Sequence, residues 1–216
     1  MTQDTTVKQA YQAWSKIYDS NENATRDLDQ VCLQQAGLPL DGSHVLELGA
    51  GSGKNTQFLA QHACHVTALD FSPEMLALAR EKVTGANVTF IEQDITRPWP
   101  LMDASMDGIV SNLVLEHIAD LKPVFKACKR VLKPGGWLYL SELHPYRQLK
   151  GGQARFEDNG KTTFVTAHLH NVMDYIKPAL SLGFELITIN EVVEGQSRPT
   201  ADHPPRLLTL TFKKSA

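Results

Sequence analysis

Two hydrophobic rhythms divide the chain. Val7, Tyr11, Trp14, Ile17 and Tyr18 recur at helical spacing, so the first stretch reads as a helix. Asn23 or Thr25 caps a second helix predicted to run to about Gly37, with Leu28, Val31 and Cys32 facing inward. After a turn at Leu38-Pro39-Leu40-Asp41-Gly42, short apolar runs alternate with helical stretches. Strands are expected at about 44–49, 65–70, 88–93, 106–111 and 137–142. Helices are expected at 54–63, after Ser72-Pro73 and after the cap Asp120. That alternation predicts a mostly parallel sheet covered on both faces. Met75, Leu76, Ala79 and Val83 make the apolar face of one helix. Leu121, Phe125, Cys128 and Leu132 make that of another, which Lys133-Pro134-Gly135-Gly136 should end sharply.

The rhythm loosens over residues 143–167. Asn159-Gly160 lies between Ala154-Arg155-Phe156 and Thr163-Phe164-Val165, which predicts a hairpin, and Gly151-Gly152 is a further turn signal. Asn171 caps a last helix with Val172, Tyr175, Ile176, Ala179 and Leu180 on one face and Gly183 at its end. Pro178 should kink or break it. Strands at about 184–193 and 206–213 flank a loop rich in Pro and Gly.

Composition narrows the class. The chain has 216 residues, 42% of them hydrophobic, which suits one domain with a full core. Its net charge of −3 and lack of a long basic run argue against a nucleic-acid or anionic-membrane surface. No apolar stretch approaches the ~18 residues of a membrane span. Met1-Thr2-Gln3-Asp4 lacks an apolar signal core. Cys32, Cys64 and Cys128 are widely spaced and odd in number, which reads as reduced, mostly buried thiols in a cytoplasmic protein. His62 with His65, and His168 with His170, lack partners for a metal site.

The chemistry centres on Glu47-Leu48-Gly49-Ala50-Gly51-Ser52-Gly53-Lys54. Glycines at alternate positions let backbone approach a ligand. A P-loop would need Gly where Leu48 stands and a hydroxyl where Asn55 stands. A dinucleotide fingerprint would need its third glycine at Lys54. The remaining pattern, G-x-G-x-G with an acid two residues before it, resembles the class I S-adenosylmethionine-dependent methyltransferases. Asp94-Ile95, Asn112-Leu113-Val114-Leu115-Glu116-His117 and Arg130–Gly136 resemble further segments of that family, in order, across residues 44–142.

The resemblance implies a Rossmann-like sheet of seven strands in the order 3-2-1-4-5-7-6, the last antiparallel. It divides the single domain into a helical lid (1–40), a cofactor-binding core (44–142), a substrate-side hairpin (143–170) and a closing helix and strands (171–216). S-adenosylmethionine would be held by Tyr18, Glu47, Gly49, Ala50, Gly51, Asn55, Asp70, Phe71, Met75, Asp94, Ile95, Asn112, Leu113 and His117. Asp70, about twenty positions after the glycines, would take both ribose hydroxyls. Asp94 would accept from the adenine amino group, between Phe71 and Met75, although ordinary core packing also accounts for Met75. Tyr11, Trp14 and Tyr18, which precedes Asp19, would cover the cofactor, or simply pack.

The expected reaction moves the sulfonium methyl to an O, N, S or C nucleophile of a small molecule. No Asn/Asp-Pro-Pro-aromatic or Pro-Cys motif points to a nucleobase, and the layout is similar to quinone- and biotin-pathway enzymes. His144, ranked first because it follows strand five, His117 and His170 are the candidate bases, with Tyr146 and His168 also considered. Tyr11, Trp14, Tyr146, Arg147, Arg155 and His168 are the candidate substrate contacts, and Arg147, Lys150 and Arg155 could draw an anion to the mouth. The oligomeric expectation is a monomer or homodimer. A non-catalytic S-adenosylmethionine-binding regulator and a nicotinamide-dependent oxidoreductase are the alternatives.

Overall fold

The computed structural model describes residues 7–15, 18, 23–158, 161–195 and 198–215. Met1–Asp4, Ile17, Asp19 and the Asn159-Gly160 turn lie outside them. The helices are α1 (Val7–Trp14), α2 (Ala24–Gln35), α3 (Lys54–His62), α4 (Pro73–Lys82), α5 (Lys122–Val131), α6 (Pro145–Leu149) and α7 (Val172–Ser181). The strands are β1 (His44–Leu48), β2 (His65–Asp70), β3 (Val88–Glu92), β4 (Met106–Asn112), β5 (Leu132–Leu143), β6 (Arg155–Asp158), β7 (Lys161–Phe164), β8 (Phe184–Val192) and β9 (Leu207–Lys214).

Seven strands form one sheet in the order β3-β2-β1-β4-β5-β9-β8, and β6 and β7 pair separately as an antiparallel ribbon. Without that ribbon, the order is the expected 3-2-1-4-5-7-6, with β9 the antiparallel member. Alternation along the strands feeds two cores. Leu46, Ile109, Leu138 and Leu140 face α5 and α7 residues, whereas Val45, Val110, Trp137 and Tyr139 face α2, α3 and α4 residues. A third, small cluster joins Ala10 and Trp14 of α1 to Phe156 and Val165. Trp14 stacks on Phe156 at 5.2 Å, so the first helix and the ribbon make one roof rather than separate covers.

Several local expectations change. Asn23 does cap α2, accepting from the Thr25 and Arg26 N–H groups, but the inward residues are Asp29 and Leu33. Val31 falls on the opposite side of the helix and is 42% exposed. Leu180 lies beside the buried stripe Tyr175, Ile176 and Ala179 and is exposed. Pro178 does not break α7, because those packed residues hold the turns on either side of it. Asp120 sits one residue before the cap position, and its side chain takes the Lys122 N–H. β5 begins at Leu132: Met106 pairs with Leu132 and Gly108 with Trp137, so Lys133–Gly136 bulge out within the strand. Of the cysteines, all free, only Cys128 is buried; Cys64 is exposed and Cys32 half-buried.

Candidate active site

A cavity of about 1460 Å³ lies over the carboxyl ends of β1, β2 and β4. Tyr11, Trp14, Tyr18 and Phe156 line it from the roof. In open α/β sheets this is where strand order reverses and ligands bind.

The glycine turn at its floor serves three purposes. Gly49, Gly51 and Gly53 all have positive φ. A Cβ on Gly49 would stand 2.2 Å from a Val114 methyl, and one on Gly53 would meet Ala79 of α4 at 3.0 Å. These two permit close packing of chain on chain. A Cβ on Gly51 would find only the Tyr18 hydroxyl, at 4.0 Å, so Gly51 is the glycine that bares backbone to the cavity. Its N–H donates to Asp70 Oδ2 at 2.8 Å, while Asp70 Oδ1 accepts from the Ser72 N–H at 2.8 Å. Asp70 thus locks the turn to the start of α4.

Buried acids crowd the same wall. Asp29 accepts from Asn55 Nδ2 at 3.1 Å and from Asn112 Nδ2 at 2.7 Å. With their amide nitrogens so committed, the Asn55 and Asn112 Oδ1 atoms are buried without a donor. Glu47 accepts from the Thr56 hydroxyl at 2.6 Å. Burial pushes the Glu47 carboxyl up to about 8, against the Thr56 hydrogen bond, with Asp70 and Asp29 adding to the rise. Burial also raises Asp29 and Asp70, opposed by their hydrogen bonds.

The stretch after β4 is shaped from beneath. Glu142, buried at the end of β5, accepts from the Val114, Leu115 and Glu116 N–H groups at 3.3, 3.0 and 3.4 Å. Leu113 adopts a left-handed φ of 56° and donates its N–H to the Ser141 carbonyl. This strained turn presents His117 to the cavity. His117 Nδ1 lies 2.7 Å from the Thr166 carbonyl, which can only accept, so in the neutral ring Nδ1 carries the proton. Nε2 then accepts from the Tyr11 hydroxyl at 3.0 Å. The Glu116 carboxylate is 3.9 Å from that nitrogen.

Residues 46–140 match the family described as "Methyltransferase domain". The chain is 30% identical, over 245 aligned positions, to an uncharacterized methyltransferase of Emericella nidulans, covering 95% of this chain and 85% of that one. The chain belongs to the class I S-adenosylmethionine-dependent methyltransferase family. It is also 36% identical over 109 residues to a ubiquinone biosynthesis O-methyltransferase of Xylella fastidiosa, covering half of this chain and 44% of that enzyme. An S-adenosylmethionine-dependent methyltransferase of Mesorhizobium loti shares the fold, with a TM-score of 0.73 at 21% identity, covering 88% of this chain and 100% of that one.

Of the residues expected from this methyltransferase family's pattern to meet the cofactor, all but Met75 line the cavity. Met75 is wholly buried on the inward face of α4, where its apolar spacing places it. Asp94 lines the cavity, but its Oδ1 is taken by the Thr96 N–H and hydroxyl. Tyr11, Trp14, Arg147 and Arg155 reach the cavity. His144 does not: it caps α6, with Nδ1 on the Tyr146 N–H and Nε2 3.1 Å from Glu191 of β8. Following strand five therefore puts it beside the sheet edge instead of over the cleft, and burial lowers its pKa. His170 is buried against the Ile118 carbonyl, and Tyr146 and His168 also lie outside the lining. Sequence reasoning missed Asp29, Arg26, Glu116, Phe156 and Arg206, all of which line the cavity. Asp29 had one local sign, its place four residues before Leu33 on the same face of the predicted helix. Arg206 had none.

Proposed function

We propose that the cavity holds S-adenosylmethionine over the glycine turn and delivers its methyl group to an O, N, S or C nucleophile of a small molecule. The observation that carries this reading is the pair of unpartnered buried Asn55 and Asn112 oxygens around Asp29, beside the bare backbone of Gly51. Two carbonyl oxygens and a carboxylate form an acceptor-only nest, which suits a cationic donor such as the ammonium of the cofactor's amino-acid part. Asp70 and Phe71 would meet the ribose and adenine, and Asp94-Ile95 the far edge of the base. When bound, the cofactor supplies an already activated methyl group.

The chain's own residues then orient the acceptor and take its proton where it has one. His117 is the base candidate at the cavity wall. Its Nε2 lone pair faces the Tyr11 hydroxyl, so a proton reaches it either by displacing that hydroxyl or through it. Burial holds Tyr11 well above the ordinary phenol range, so it relays a proton only as a neutral phenol. We further propose a single domain in which the roof and residues 143–170 select the acceptor.

The test is turnover. Purified protein, labelled S-adenosylmethionine and a metabolite extract should yield a labelled small molecule and S-adenosylhomocysteine. Binding of both cofactor forms without turnover on any extract would instead indicate a regulator.

A further inference from the structure

Among the charged residues that line the cavity, three acids and two arginines come from opposite halves of the sheet. Glu47 lies in β1, Asp70 ends β2 and Glu116 follows β4, whereas Arg147 lies on α6 after β5 and Arg206 immediately precedes β9. In the order β2-β1-β4-β5-β9, these three buried acids occupy one half and Arg147 and Arg206 the other; Arg26 of α2, Arg97 after β3 and Arg155 of β6 also line the cavity. The reversed direction of β9 makes this possible. Its first residue, Leu207, pairs with Leu143 at the end of β5, so Arg206 enters at the same end of the sheet where the parallel strands leave. The Arg206 carbonyl accepts from the His144 N–H at 2.9 Å, and Arg147 Nε donates to the Pro205 carbonyl at 3.3 Å.

Neither guanidinium is fully used. Arg206 donates to Thr25 Oγ1 at 3.2 Å and to Glu194 Oε2 at 3.1 Å, and its Nε is buried with no acceptor among the described residues. Glu194 is 60% exposed, so water screens much of its charge. The terminal nitrogens of Arg147 make no hydrogen bond among the described residues. Two cations on one wall, one with a buried unsatisfied N–H, favour an oxyanion, which guanidinium forks bind in plane.

We propose that Arg147 and Arg206 bind an oxyanion, a carboxylate or phosphate group, carried by the methyl acceptor. This rests on the methyltransferase reading above. The buried acids suit the cationic cofactor, and Arg147 and Arg206 draw an anionic acceptor beside it.

The test is calorimetric titration with inorganic phosphate and, separately, with benzoate, against chloride at equal ionic strength. It is run on protein saturated with S-adenosylhomocysteine and on protein without it. At least one anion should bind. Arg147→Gln and Arg206→Gln should each weaken it about tenfold or more, with S-adenosylhomocysteine affinity kept within about threefold. Arg206→Lys should retain part of the binding, and melting curves establish that each variant is folded. A response to phosphate alone assigns a phosphoryl-bearing acceptor, and to benzoate alone a carboxylate. No binding beyond chloride, equal binding in the variants, or a parallel loss of S-adenosylhomocysteine affinity overturns the proposal. Failure of the methyltransferase reading would show separately, as wild-type protein that does not bind S-adenosylhomocysteine, and the ligand-free titration would still judge the arginine wall.

Discussion

Asn112 at the end of β4 donates its amide to Asp29 of α2 at 2.7 Å, across 83 positions of chain. Asn55 donates to the other carboxylate oxygen at 3.1 Å. The N-terminal region is thereby tied into the cavity wall by a charge rather than by apolar contact alone. Asp29→Asn removes the charge but keeps the shape. It should reduce S-adenosylhomocysteine affinity at least tenfold, about 1.4 kcal/mol, by calorimetry. Affinity unchanged from wild type would show that Asp29 only braces the two amides.

Asp70 holds Gly51 and Ser72 as well as facing the cavity. Asp70→Ala should therefore lose stability and ligand affinity together. Each hydrogen bond to a charged group contributes about 1.5–3 kcal/mol. A lowered melting temperature with affinity intact would separate the two roles and remove Asp70 from the ribose site.

Glu47 gives the ligand-free protein a pH signature. Its folded-state carboxyl titrates at about 8, well above the ordinary value of 4.5. The neutral form is the one the fold favours, so its contribution is fully present below pH 4.5 and is lost as pH rises through about 8. Over that window stability should fall by up to about 1.4 kcal/mol per pH unit relative to Glu47→Gln. Urea midpoints at pH 6 and pH 8.5 for the two proteins would check this, and parallel pH profiles would refute it.

His117→Ala should lower methyl transfer by about a hundredfold or more while leaving S-adenosylhomocysteine affinity within about threefold. The pH–rate profile should lose the limb that the base contributes. Tyr11→Phe, which frees Nε2, should cost less. A full loss of cofactor affinity in His117→Ala would make the residue part of the binding wall alone.

Trp14 and Phe156 predict a roof that opens as one piece. Their cluster is separate from the two sheet cores, so Phe156→Ala should leave the main melting transition within about 1 kcal/mol. It should, however, speed proteolytic cleavage within α1, with S-adenosylhomocysteine restoring protection. Equal protection in both proteins would argue that α1 docks without the ribbon.

The alternation of strands and helices, the glycine turn and the polar residues at strand ends were all legible in the chain's local patterns. These are local properties: an apolar period, a φ that only glycine adopts easily, and an acid just past the last buried position. Glu47, Asp70 and Asn112 were legible for that reason. Tertiary structure decided whatever depends on which distant segments meet. His144 turned away because α6 starts at once and its ring caps that helix against Glu191. Met75 was ambiguous because an apolar residue on a helix face suits a core and an adenine pocket equally well. Arg206 entered because an antiparallel strand inserted beside β5 carries its own beginning to the ligand-binding end of the sheet, and no local pattern encodes that direction.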